Sequence, residues 1–162
     1  MKKILIIGGA GFIGSNSAAY FLKKGRQVII FDNLSRKGST KNLEWLKSLK
    51  GDLKFIKGDI RYDQKLLQKA VNGCDAVLHL AAQVAVTTSV TNPREDFEIN
   101  AFGTFNVLEA IRLSSSNPAL IYTSTNKVYG GMEYVKVIKV NGRYRYTDYP
   151  LGISEEFPLD FH

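Results

Sequence analysis

A single cysteine excludes an intrachain disulfide, and its place, Cys74 just ahead of an apolar run, is that of a buried and inert thiol. Histidine is nearly as scarce. His79 lies inside an apolar stretch and His162 is the last residue, neither has the partners of a catalytic triad, and no cluster has metal-ligand spacing. No metal is expected. Apolar runs all fall short of the ~20 residues a membrane span needs. The opening MKKILIIGG runs into a glycine turn instead of a cleavage site, which points to a cytoplasmic protein with no membrane contact. Repeats and low-complexity segments are absent. The formal charge of +7 is spread over helices and one late hairpin, without the clustered stripe or reading helix that nucleic acid requires, so no nucleic-acid partner is expected. What is there, 44% apolar and 23% charged residues in a chain of 162, is the composition of one globular domain with a real core.

The most informative stretch is ILIIGGAGFIG, an apolar run over residues 4–14 that breaks at Gly8, Gly11 and Gly14 before a helix-forming segment. A buried parallel strand over Lys3 to Ile7 must end abruptly for a helix over Phe12 to Lys24 to aim its positive, amide-rich N-terminus at a phosphate. Gly8 permits the tight turn, Gly11 lets the backbone approach phosphates, and Gly14 lets the helix lie close on the strand. A second apolar strand, Gln27 to Phe31, ends in Asp32, about 20 residues beyond the turn, where a carboxylate accepts from a ribose hydroxyl. This is the pattern of a dinucleotide site.

Strand and helix then alternate. A helix is expected over Ser39 to Lys50, a strand over Leu53 to Lys57, a helix over Asp63 to Val71, a strand over Ala76 to Ala81, a long helix over Pro93 to Leu113, and a fifth strand over Ala119 to Ser124. Right-handed crossovers between such strands build an α/β, Rossmann-like, doubly wound parallel sheet of order 3-2-1-4-5, with ligands beyond the strand C-termini. From Gly130 the pattern changes: YVKVIKV, Asn141-Gly142 and RYRYT alternate around a two-residue turn, a β-hairpin insertion over about residues 133–147. Its tyrosines and cations suit either a surface hairpin with cross-strand aromatic pairs or a basic flap over a nucleotide. The expected organisation is a dinucleotide-binding domain over 1–129, the insertion over 130–150 and an ordered loop over 151–162.

Polar residues collect at the expected strand ends: Asp32 and Asn33, Asp59, Gln83, then Ser124 and Thr125. Asp59 suits either a helix cap or an adenine amino group. Ala81 and Ala82 are small where a dinucleotide would cross the sheet, and Thr87, Thr88 and Ser89, placed on a loop, suit sugar hydroxyls. Hydride transfer from an alcohol needs a base and a neutral orienting partner, and Thr125 suits the second role. A tyrosine four residues before a lysine is the usual base. Tyr20 and Lys24 alone have that spacing, on the first helix beyond the glycine turn, and are read as a packing tyrosine and a solvated lysine.

GGAGFIGSN, FDNLSR, GDIR, LHLAAQ, Asn100 with Gly103 and Thr104, and STNKVYG together resemble the N-terminal part of an extended short-chain dehydrogenase/reductase, over nearly the whole chain. Within that family AAQVAVTTSV, NPREDFEIN, STNKVYG and ISEEFPLDFH most resemble epimerases that act at C2 of a CDP-linked sugar. The resemblance implies NAD, with Gly8, Gly11, Phe12 and Ile13 at the pyrophosphate, Asp32 at the adenosine ribose, and Asp59 with Ile60 at the adenine. It also implies that Leu80, Ala81, Ala82 and Gln83 line the cofactor path, that Asn100 is the cofactor-side asparagine, and that Thr125 is the catalytic hydroxyl. A nucleotide-sugar substrate and, at full length, a homo-oligomer are implied partners. The family's YxxxK pair follows soon after the point where this chain stops, so the fragment is expected not to turn over alone. A UDP-sugar 4-epimerase, a 4,6-dehydratase and a non-catalytic NAD-binding module stay open as alternatives.

Overall fold

Side chains of the first two strands sort by alternation onto the two faces of one sheet. In the computed structural model, which describes residues 2–159, β1 (Lys3–Ile7) pairs in parallel with β2 (Gln27–Asp32) so that Ile4 lies opposite Val28 and Ile7 opposite Phe31. Ile4, Ile6, Val28 and Ile30 turn to one face, under Ala18 and Leu22 of α1 (Phe12–Lys23) and Leu46 of α2 (Ser39–Ser48). Leu5, Ile7, Ile29 and Phe31 turn to the other, under Leu67 and Val71 of α3 (Gln64–Val71) and Val107 and Ala110 of α6 (Gly103–Arg112). Burial on both faces explains why these strands read as continuous apolar runs. Each fully buried side chain of this kind contributes roughly 1.5–3 kcal/mol.

The sheet is completed by β3 (Leu53–Lys57), β4 (Ala76–His79) and β5 (Ala119–Tyr122), all parallel, in the order β3-β2-β1-β4-β5. The order expected from the sequence is the order found, and β1 and β3 have the expected bounds. Two strands are shorter than expected. β4 stops at His79, opposite Ile7, because β1 has no residue beyond Ile7 to pair with it, and β5 stops at Tyr122, opposite His79, for the same reason. β5 is an edge strand, and Ile121, in register with Leu78, is 56% exposed.

The long helix expected over Pro93 to Leu113 is broken into α5 (Pro93–Phe97), a π-helical turn (Glu98–Phe102) and α6. Thr87, Thr88 and Ser89 are not on a loop: they lie on a short helix, α4 (Val86–Thr91). Its β-branched residues are poor helix formers. The segment is held locally, with Ser89 donating to Ala85 O and to Asp96 Oδ1 (3.2 and 2.7 Å) and Thr91 donating to the Thr87 and Thr88 carbonyls.

The chain divides between Thr123 and Ser124 into two compact units. The second opens with a 3₁₀ turn (Asn126–Tyr129) and contains the antiparallel hairpin of β6 (Val137–Val140) and β7 (Arg143–Tyr146). Asn141 and Gly142 close it with φ of 50° and 79°, the left-handed pair that a two-residue hairpin turn demands. Its tyrosines pair across the strands with non-aromatic partners: Tyr144 faces Lys139, whose ammonium lies 5.9 Å from the ring centroid, and Tyr146 faces Val137. Tyr129, Tyr134 and Tyr149 surround the ring of buried Phe157, with centroids 5.7, 6.1 and 5.5 Å away. Residues 160–162, the end of the expected terminal loop and His162 with it, lie outside the described residues.

Candidate functional site

A cleft of about 480 Å³ opens at the C-terminal edge of the sheet, between the glycine loop and the ends of β2, β3 and β4. Its floor begins at Gly8, where a φ of 77° makes the turn and where a Cβ would lie 2.7 Å from the Ala81 amide nitrogen. The same glycine therefore turns the chain and admits the segment after β4. At Gly14 a Cβ would run into the Gly8 carbonyl oxygen, so α1 can start this close to β1 only without a side chain. Gly11 is the N-cap of α1, the first turn contains no acidic side chain, and Phe12 and Ile13 are exposed. Free amides at the start of a twelve-residue helix, with no carboxylate among them, can receive a diphosphate.

Asp32 stands at the next strand end with each oxygen fixed by a backbone amide: Oδ2 accepts from Ala10 (3.0 Å) and Oδ1 from Leu34 (2.8 Å). One lone pair on each oxygen is left for vicinal hydroxyls. The glycine loop is held from its other side by Asn42 of α2, which donates to the Ala10 carbonyl at 2.9 Å. Further along, Asn33 Nδ2 donates to Asp59 Oδ2 at 2.8 Å, and Arg61 closes a two-point contact on the same carboxylate. Burial alone would raise the Asp59 pKa, but the hydrogen bonds from Arg61 and Asn33 outweigh it and bring it down to about 2.

Of the residues expected at the cofactor, Gly8, Gly11, Phe12, Ile13, Asp32, Asn33, Asp59, Ile60, Leu80, Ala81 and Ala82 all line this cleft. Gln83 and Asn100 do not line it; they hold one another. Asn100 Oδ1 accepts the Gln83 amide (2.9 Å) and its Nδ2 donates to the Gln83 carbonyl (3.0 Å) and to Asp96 (3.0 Å). The π-helical turn, which contains Asn100, brings that side chain onto the chain just after β4 while Val107 and Ala110 keep to the core. Thr87 and Thr88 lie on α4 outside the lining. Ser124 and Thr125 open the second unit, both exposed, and Thr125 Oγ1 accepts the Lys127 amide at 3.2 Å as the cap of the 3₁₀ turn.

Sequence reasoning missed Ser35, Lys37, Ser39, Asn42, Val84 and Ile99, all on the lining, where Arg36 lies too. For Asn42 a signal existed, a polar residue on the first turn of α2 facing the glycine loop, but helix phase alone does not distinguish it from a solvated asparagine. His79 is buried, with Nε2 at 2.9 Å from Thr104 Oγ1, and burial lowers its pKa to about 4. Cys74 is buried as expected, and burial raises its thiol pKa. Among the described residues no acidic, His or Cys cluster could hold a metal, and no helix is long and apolar enough to cross a membrane.

A parallel sheet of this order, a glycine-bounded helix start and an oriented carboxylate at the end of β2 define a dinucleotide-binding domain of the short-chain dehydrogenase/reductase kind. The chain belongs to the GDP-mannose 4,6 dehydratase family among the extended members of that class, and the family's model matches residues 5–144. It is 52% identical over 163 aligned residues to the CDP-paratose 2-epimerase of Salmonella typhi, covering 99% of this chain and 47% of that protein. Among solved structures it resembles the UDP-glucose 4-epimerase from Brucella ovis in complex with NAD (TM-score 0.68, 34% identity, 80% of this chain and 38% of that one). It also resembles the UDP-Glc/GlcNAc 4-epimerase from Campylobacter jejuni (TM-score 0.75, 31% identity, 99% of this chain and 43% of that one). The chain thus spans about half the length, or less, of the relatives it matches.

Proposed function

We propose that this chain is the NAD-binding portion of a nucleotide-sugar epimerase whose substrate is a CDP-linked sugar inverted at C2. The observation that carries the reading is the Asp32 carboxylate, held by the Ala10 and Leu34 amides beside the amide-rich start of α1. It offers acceptors to ribose hydroxyls and repels a 2′-phosphate, which favours NAD over its phosphorylated form. The 52% identity to a CDP-paratose 2-epimerase supports the sugar and the position.

NAD, when bound, accepts a hydride from a carbinol carbon and returns it, so an epimerase consumes no reductant. In this reading the main chain at Phe12 and Ile13 takes the diphosphate, which the bare Gly11 lets approach, and Asn33, Asp59 and Ile60 bound the adenine. Leu80, Ala81 and Ala82 keep the path across the sheet narrow in side-chain bulk. Asn100 acts at one remove, by fixing the main chain of Gln83. The resemblance carries over Ser124 as a cofactor residue, Thr125 as the hydroxyl that orients the sugar hydroxyl, and Thr87 and Thr88 as sugar-binding residues. The base is another matter. Lys24 sits with its ammonium 5.7 Å from the Tyr20 ring centroid at the far end of α1 from the glycine loop, which leaves the pair no part in proton transfer. On this reading the 162-residue chain by itself binds the cofactor.

Association between copies fits the exposed face of α6, where Phe105 and Leu108, with Leu113 at the C-cap, are each about half exposed. The runner-up is a UDP-sugar 4-epimerase, the activity in the names of both structural neighbours cited above. Titration calorimetry of the chain with NAD, an intact mass of the native protein, and incubation of that protein with CDP-paratose and with UDP-sugars test the reading. Stoichiometric NAD binding and interconversion of the CDP-sugar alone are expected; turnover of a UDP-sugar alone would replace the reading by the runner-up.

A further inference from the structure

Little holds α4 in place. None of its residues is buried, Val86 and Val90 stand exposed, and its threonines and valines are poor helix formers. Among the described residues, its only side-chain hydrogen bond to α5 runs from Ser89 Oγ to Asp96 Oδ1, at 2.7 Å, the short length of a hydroxyl donating to a carboxylate. The same Asp96 oxygen accepts Asn100 Nδ2 at 3.0 Å, from four residues further on. Because a carboxylate only accepts, Asn100 must present its nitrogen there, which leaves Oδ1 for the Gln83 amide; turned over, its oxygen would face both the carboxylate and the Gln83 carbonyl. Gln83 Nε2 in turn reaches the carbonyl of Ala85, the N-cap of α4, at 2.8 Å. The neighbours of these two amides line the cleft: Ala82 and Val84 flank Gln83, and Ile99 precedes Asn100. One carboxylate oxygen thus joins α4, the π-helical turn and the chain after β4.

We propose that Asp96 is a positioning residue that couples the cofactor cleft to α4: a dinucleotide lying against Ala82, Val84 and Ile99 steadies the wall they form and, through Asn100, Asp96 and Ser89, the helix that contains Thr87 and Thr88. The inference rests on the dinucleotide reading of the cleft. A segment with so few buried contacts opens locally at little cost, so its ordering depends on the one carboxylate that ties it to α5. Coupling of this kind is reciprocal, and a ligand that orders α4 therefore also tightens the cofactor. Asp96 acts through its two donors, since it has no place on the cleft wall.

The test is amide hydrogen exchange of the 162-residue chain, followed by NMR with and without saturating NAD. In the unaltered chain NAD is expected to slow exchange about fivefold or more at two amides: that of Gln83, and that of Asn92, which donates to the Thr88 carbonyl at the end of α4. Ser89→Ala cuts the link at α4 alone, so the slowing should persist at Gln83 and vanish at Asn92. Alanine is the better helix former, and a looser α4 in this variant therefore reports the lost tether and not a lost propensity. Asp96→Asn keeps an oxygen in place for both donors and should retain most of the effect at Asn92, whereas Asp96→Ala should lose it. Equal slowing at Asn92 in the unaltered chain and in Ser89→Ala overturns the proposal, as does its absence from an unaltered chain that binds NAD. Faster exchange of the β1 and β2 amides together with Asn92 in Ser89→Ala would mean that Ser89 merely holds the fold, and the proposal fails. Failure of the unaltered chain to bind NAD in calorimetry refutes the reading of the cleft itself, a result distinct from tight binding that leaves α4 unprotected.

Discussion

The carboxylate of Asp32 accepts the backbone amide of Ala10 at 3.0 Å, so the last residue of β2 holds the glycine loop that follows β1. On the proposed reading, recognition and loop geometry are coupled in this one side chain. Asp32→Asn keeps one acceptor and turns an amide toward a backbone donor, which removes a charge-assisted hydrogen bond. NAD affinity should fall at least about tenfold, and the preference for NAD over its 2′-phosphorylated form should narrow. Parallel calorimetric titrations with both dinucleotides check this. Undiminished NAD affinity would detach Asp32 from the ribose.

Gly14 separates packing from chemistry in the same loop. A methyl group there would meet the Gly8 carbonyl oxygen and lie 2.7 Å from Gly9 Cα, both backbone, and neither can move aside as a side chain would. Gly14→Ala should destabilise the chain by about 1–3 kcal/mol and displace the start of α1 from β1. Urea unfolding measures the first effect, and loss of NAD binding at temperatures where the variant remains folded measures the second. Gly38→Ala is a useful contrast, because a Cβ there meets nothing within 4 Å and the cost comes from its φ of 95° alone.

The sheet was legible because its signals are local and redundant. The run Lys3–Ile7 ends at a glycine turn, Gln27–Asp32 ends in its carboxylate, and Leu53–Lys57 is bounded by Gly51 and Gly58. The ends of β4 and β5 were not legible. They depend on where β1 stops, a property of the partner strand and not of Leu80 or Thr123. The π-helical turn at Glu98–Phe102 has no signature in spacing either: it exists because Asn100 bonds to Gln83, seventeen residues away, while Gly103 packs with room for no Cβ against Ile60. For the cleft, glycines and carboxylates announced themselves, whereas Asn42 and Arg61 work through a loop carbonyl and another side chain, relations that only the fold brings together.

Thr125 caps the turn Asn126–Tyr129 by accepting the Lys127 amide, which leaves its hydroxyl proton free to meet a substrate oxygen. Thr125→Ser preserves both functions and Thr125→Ala neither. Loss of the cap costs about 1 kcal/mol, confined to that turn. If the protein is the epimerase proposed above, Thr125→Ala should lower its kcat by about 10²-fold or more with NAD affinity unchanged, and Thr125→Ser should restore most of it. Steady-state kinetics beside NAD titration separate the two quantities. Undiminished turnover in the alanine variant would remove Thr125 from the mechanism.

His79 gives the fold a pH dependence that can be assigned to one residue. It is 1% exposed, its Nε2 is paired with Thr104, its Nδ1 has no partner, and burial lowers its pKa from 6.5 to about 4. The folded chain thus favours neutral imidazole, and between these values the unfolded chain binds the extra proton. Stability is fully present above pH 6.5, declines as the pH falls below it, and has lost the whole contribution near pH 4. At 1.36 kcal/mol per pKa unit the loss is on the order of 3 kcal/mol. Asp59 acts lower: its stabilising ionisation is present above pH 3.8 and disappears as the pH falls through about 2. Urea unfolding at half-unit steps from pH 7 to 4 should show the decline in the parent chain and a distinctly flatter profile in His79→Gln, which keeps a partner for Thr104 and does not titrate. Equal slopes in the two proteins would place the proton uptake elsewhere.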